Sequence, residues 1–238
     1  MKSFSKWLYE ETLGGGATAG VLEIHSTSIA RAVEYAQNVL GDKYDEIGKF
    51  ASNYKFAQSQ ASQGWARRKD MPVITSRDIH EFQNRLQQGF IDLKAPFAPG
   101  TNKSKPFPSG LKGDYAKQWL QNGLAKFDGS PSDDRIKVES RRLAVGILKP
   151  IQKQIYVDKS INAMNRDTLA GTKNFLSTQT IYITSSDNYI IDGHHRYLSA
   201  MLLNPKMNVQ TMAINLPIKE LLPMAVAYGD AIGNKRNK

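Results

Sequence analysis

The segment Ile190-Ile191-Asp192-Gly193-His194-His195-Arg196-Tyr197-Leu198-Ser199-Ala200-Met201-Leu202-Leu203 changes periodicity halfway along. Tyr189 to Ile191 is a short apolar run of strand character. Asp192-Gly193 interrupts it with a capping residue and a permissive turn residue, so a helix is expected to start there with Asp192 as its N-cap. Tyr197/Met201 and Leu198/Leu202 then stand at i,i+4 and share one helical face, and Asn204-Pro205 closes the helix. His194, His195 and Arg196 fall in its first turn, where unpaired amides and the positive end of the helix dipole favour an anion. Arg196 adds a fork suited to phosphate oxygens, and either imidazole could relay a proton or hold a metal. A polar first turn is often just a solvated one. Here, however, two of only four histidines sit side by side with an arginine. Phosphate chemistry is the expectation.

Composition narrows the classes. A chain of 238 residues can bury a sizeable core as one or two domains. No cysteine is present, which excludes disulfides, thiolate zinc sites and a cysteine nucleophile. No apolar run reaches membrane-spanning length, so no membrane partner is expected. The net charge of +10 favours anionic partners, whether nucleotide phosphates, DNA or acidic protein. Small basic clusters stand at Arg67-Arg68-Lys69, Arg141-Arg142 and Lys235-Arg236-Lys238.

Asp-Gly-His-His-Arg-Tyr after a strand resembles the ParB/sulfiredoxin superfamily, in a form similar to its free serine kinases. Val145-Gly146-Ile147-Leu148-Lys149-Pro150-Ile151-Gln152 resembles the family's opening strand and Leu-x-Pro-x-Gln turn. The likeness covers about residues 138 to 216. It implies a nucleotide or phosphate pocket with Lys149 and Gln152 on one wall. Asp192, Gly193, His194, His195 and Arg196 would form the other wall. Asp192 would bind Mg2+ or act as a base, and one histidine would bind phosphate or act as an acid. Sulfiredoxin chemistry is excluded, because a histidine stands in the neighbourhood of that branch's cysteine. Two departures matter. The serine-kinase branch would place an acid beside the turn, but none follows until Asp158; the partition proteins' Gly-Glu-x-x-Arg box is absent.

Along the chain, an amphipathic opening segment carries Phe4, Trp7 and Leu8 and is broken by Gly14-Gly15-Gly16. It is no secretory signal. It resembles the amino-terminal tag of tailed-phage head proteins, with Leu8-Tyr9-Glu10 as the processing point. That likeness implies the cytoplasm of a bacterial host, or packaging in a virion; a simple docking helix reads equally well. Helices are expected from Ser28 to Leu40, from Ile47 to Trp65, after a Thr75-Ser76 cap, and from Asp114 through Leu124. Residues 95–113 read as a Pro/Gly/Lys-rich loop. Asp128 to Asp134 reads as a boundary between a helical region (1–130) and a mixed-sheet domain (135–238). Strands are expected within 136–148, 180–184, 189–191 and 209–214, with Ser185-Ser186-Asp187-Asn188 as a hairpin turn. Asp167 should cap a short helix, and Pro217 should open a last one that Pro223 kinks or shortens. His25 and His80 read as surface residues.

The fold class is therefore α+β, with helices preceding a small ParB/sulfiredoxin-like mixed sheet. Three functional expectations stand: a ParB-like nuclease or nucleoside triphosphate phosphohydrolase acting on or near DNA with Mg2+; a kinase of a small hydroxyl compound; and a non-catalytic phage protein that binds nucleotide or DNA.

Overall fold

The computed structural model describes residues 22–74, 78–93, 110–125 and 135–234. The opening segment, the Thr75-Ser76 cap, most of the Pro/Gly/Lys-rich loop and the expected 128–134 boundary lie outside them. The architecture is α+β: eight described α-helices and a five-stranded mixed sheet. The helices are α1 (Ile29–Leu40), α2 (Phe50–Ala61), α3 (Ile79–Gln88), α4 (Gly113–Ala125), α5 (Val157–Met164), α6 (Leu169–Asn174), α7 (His194–Leu203) and α8 (Ile218–Ala231). The strands are β1 (Val138–Ala144), β2 (Lys149–Pro150), β3 (Tyr182–Thr184), β4 (Tyr189–Asp192) and β5 (Asn208–Ile214).

The sheet runs β1-β5-β3-β4-β2. β1 lies antiparallel to β5 from Val138↔Ile214 to Ala144↔Asn208, and β3 lies parallel to β5. β3 and β4 form the expected hairpin, and β2 runs parallel to β4. Successive strand residues face opposite sides. Tyr182 and Ile190 join one apolar cluster, Ile183 and Ile191 the other. A sheet buried on both faces needs a helical layer on each.

The helices that precede the sheet in sequence divide between those layers. α1 and α2 supply Ala32, Ala36, Tyr54 and Ala57 to the cluster that holds Ile161, Tyr197 and Met201. α3 and α4 supply Phe82, Leu86, Ala116 and Trp119 to the cluster that holds Ile214, Leu221 and Tyr228. Both cores thus draw on residues from either side of the 128–134 segment.

Local signals explain most element ends. Ser28 caps α1 by accepting from the Arg31 N–H, and Gly89 ends α3 in the left-handed region. α6 is capped by Thr168, whose hydroxyl accepts from the Gly171 N–H; the expectation of Asp167 was one residue early. α5 has no counterpart in the sequence reading: it is only eight residues long, and its buried positions Val157, Ser160, Ile161 and Met164 include a serine. Pro217 precedes α8 as expected, but Pro223 does not shorten it, and the helix continues to Ala231. Pro223 lies in the second turn and is buried by its neighbours, so tertiary packing outweighs the lost amide.

Two non-helical segments, residues 22–24 against 155–157 and a strap at 64–68, tie the two halves together. The strap Gly64-Trp65-Ala66-Arg67-Arg68 crosses the turn after β2. The Trp65 and Ala66 amides donate to Ile151 O at 3.0 and 2.8 Å, and the Lys153 amide donates to Ala66 O at 2.8 Å. A Cβ on Gly64 would lie 2.7 Å from Gln152 O, so only glycine permits this approach.

Two outcomes follow. The fragment 135–238 alone should give no cooperative thermal transition by circular dichroism, where the full chain gives one. Gly64→Ala in the full chain should lower stability by about 1–3 kcal/mol, read from urea unfolding.

Candidate functional site

The turn after β2 and the start of α7 meet at the ends of two neighbouring parallel strands, β2 and β4. Gly193, not Asp192, occupies the residue before α7, at φ 100° and ψ 20°. That backbone favours glycine. A Cβ there would also stand 3.0 Å from Tyr182 Cδ1 and 3.3 Å from Arg196 Nη2. The Asp192 carboxylate, expected to cap the helix, instead accepts from Arg196 Nη2 at 2.8 Å. Arg196 is buried, with its guanidinium carbon 5.8 Å from the centre of the Tyr182 ring.

His194 is buried at the heart of this junction. Its Nε2 accepts from both the Ile151 and the Gln152 amides, each at 3.2 Å. Burial, and then the Arg196 charge, pushes its pKa down to about 3. A neutral ring with Nε2 as acceptor is what two converging N–H groups require. His194 is therefore a bracket between turn and helix, and its Nε2 lone pair is already committed.

His195 differs. Its ring stacks on Tyr156 at 5.6 Å, and its Nε2 is shut off from solvent without a hydrogen-bond partner. Burial, then Arg68, Lys159, His194 and Arg196 in that order, pushes its pKa down to about 3. Arg68, Lys159 and Arg196 all place positive charge near that imidazole. The Arg68 guanidinium carbon lies 5.4 Å from the centre of the Tyr156 ring, and the Lys159 Nζ lies 5.1 Å from it. The first amide to bond within α7 is that of Tyr197, to Gly193 O at 2.8 Å. The N–H groups of His194, His195 and Arg196 thus begin without intrahelical partners.

The remaining expected residues divide. Gln152 is buried, but its side chain turns back to donate to Gln154 O, so its contribution to the site is its main chain. Lys149 is not brought to the site. It pairs with Tyr189 at the far end of β4, roughly 10 Å from Asp192 at strand spacing, and its ammonium lies over the Tyr189 ring. Asp187 belongs to the hairpin and the start of α8. Its carboxylate accepts from the Ser185 hydroxyl at 2.6 Å and the Ile218 amide at 3.0 Å. His25 and His80 are exposed. Three residues not assigned to the site from sequence, Arg68, Tyr156 and Lys159, surround His195. Arg68 was visible only as part of a basic cluster; the other two lie in or beside the unanticipated α5.

Magnesium was expected at Asp192. That carboxylate is engaged by Arg196, and among the described residues no three His, Asp or Glu side chains gather as a metal cage.

Against models of known protein families, curated proteins and solved structures, the chain shows no match.

The two depressed histidines set a pH dependence. Each takes a proton in the unfolded chain near pH 6.5 but resists it in the fold until about pH 3. Their stabilisation is complete above pH 6.5 and is lost as pH falls from there towards 3. The slope is at most about 1.4 kcal/mol per pH unit for each histidine. Urea midpoints between pH 8 and pH 4 should fall accordingly, and less steeply in His195→Phe. His194→Ala should cost about 1–3 kcal/mol at pH 8, because two buried amides lose their acceptor.

Proposed function

We propose that the protein holds a phosphate-bearing ligand at the start of α7 and processes it as a ParB-like phosphoester enzyme, a nuclease or nucleoside triphosphate phosphohydrolase. The observation that supports this most is His195: a neutral imidazole beside a helix N-terminus, with a buried, unpaired Nε2 and the positive charges of Arg68, Lys159 and Arg196 near it. An anion placed there would offset those charges and raise the imidazole pKa. The resemblance of Asp192 to Arg196 to the ParB/sulfiredoxin motif points the same way.

In this reading ligand binding uncovers His195 Nε2, which accepts the proton of a water molecule as the water oxygen attacks phosphorus. The bond to the leaving oxygen then breaks. Arg196 and the first-turn amides take up the phosphoryl charge, and that charge in turn stabilises the imidazolium. His194 positions the turn and takes no proton. Magnesium, where required, would arrive with a nucleotide, since Asp192 alone offers it little.

A second reading is favoured by a specific contact. Asp192, the expected base, is held by Arg196, which suits a site that binds nucleotide or DNA without reacting. A small-hydroxyl kinase has less support, since it needs a carboxylate to activate the acceptor and the turn residues Gln152-Lys153-Gln154 supply none.

The test is a screen of the full chain for plasmid nicking and for phosphate release from ATP and CTP, with and without Mg2+. The enzyme reading expects turnover that falls by about 10²–10⁴-fold in His195→Ala. Phosphate appearing on a free amino acid or sugar would select the kinase. Binding that weakens steeply with salt, with no turnover, would leave the second reading.

A further inference from the structure

The strap that crosses the turn after β2 also delivers a side chain to the site, from outside the part of the chain that carries the family resemblance. Its main chain is fixed at several points. Trp65 and Ala66 bond to Ile151 O, Lys153 bonds back to Ala66 O, and the Arg68 amide donates to Gln154 Oε1 at 3.3 Å. Arg68 therefore cannot drift away from Tyr156, although its side chain can turn.

The two adjacent arginines of the strap are unlike each other. Arg67 is exposed and bonds Asp70 through Nε at 2.6 Å. Arg68 is partly buried, lies over the ring on which His195 stacks, and places a positive charge near that imidazole. Among the described residues no carboxylate stands within ion-pair reach of it. A guanidinium held only by an aromatic face keeps its five N–H donors for another partner. The hold of the ring is also weaker than a bidentate pair with phosphate oxygens.

We propose that Arg68 is a ligand-binding residue of the α7 site, reaching from the strap to the same phosphate group that His195 and Arg196 face. The helical half then does more than support the sheet, since it supplies one of the cations that the anion meets. This inference rests on the phosphate reading of the preceding subsection. It assigns a binding role to a residue that the Asp-Gly-His-His-Arg motif does not contain.

The experiment uses the full chain, with ATP and orthophosphate as separate probes in calorimetry. Ring resonances of His195 are followed by NMR as each probe is added. Arg68→Gln should weaken ATP binding roughly 10–100-fold, as expected for the loss of a charge-assisted hydrogen bond. Arg68→Lys should recover part of it, and Arg67→Gln should bind as the wild type does. The thermal midpoint of each variant reports on the strap. If Arg68→Gln fails to fold, Arg68→Lys and Arg68→Met take its place. Unchanged ATP affinity in the folded Arg68 variants, with affinity lost in His195→Ala, overturns the role of Arg68 and leaves the phosphate site standing. If neither probe binds the wild type or moves the His195 ring, the phosphate site itself is wrong and the role of Arg68 falls with it.

Discussion

One imidazole nitrogen receiving two backbone amides is the constraint on which the site depends. His194 Nε2 gathers the Ile151 and Gln152 N–H groups and so fixes the turn after β2 against the first residue of α7. Buried amides without an acceptor are costly, and here two of them share the single lone pair of one ring nitrogen. The bond requires a neutral ring, and the low proton affinity of that ring follows from the same burial. From this junction the remaining geometry follows. The turn bonds to the strap, and the first turn of α7 sends Arg196 to Asp192 and His195 to Tyr156.

The doubled histidine is a division of labour. Two neighbours on a helix point about 100° apart, so they meet different surroundings. His194 turns inward to the strand ends, where amides await it. His195 turns towards α5, where it meets Tyr156 and the cations around that ring. A pair that reads as interchangeable in sequence becomes one position bonded to two amides and one whose Nε2 is buried without a partner. Arg196, a further step around the helix, is paired with Asp192 within the motif itself.

The sheet explains why the helical half cannot be set aside. Both faces are apolar, and α5, α7 and α8 do not cover them alone. α1 and α2 close one face and α3 and α4 the other, while Asn53 of α2 donates to the Leu202 and Leu203 carbonyls at the end of α7. α7 is thus held at both ends, by the turn at its start and by an N-terminal helix at its finish. A site placed at such a helix gains rigidity from the whole molecule.

Much of this was legible in the residues themselves. The switch from Tyr189–Ile191 to the i,i+4 pairs located β4 and α7, and Ser28, Gly41, Gly89 and Pro217 marked helix ends, because capping and periodicity are local physics. The motif also announced where polar groups would cluster. Which partner each group takes is a long-range matter. Asp192 reads as a cap until Gly193 is seen to occupy that place with a left-handed backbone. Lys149 reads as a neighbour of Gln152 until strand pairing carries it to Tyr189. Arg68 is 127 positions from His195 in the sequence, and no local rule brings them to one ring. Composition and pattern determined the α+β class and the polar start of α7; packing across the sheet decided which histidine is a bracket, which keeps an unpartnered ring nitrogen, and which cations stand near it.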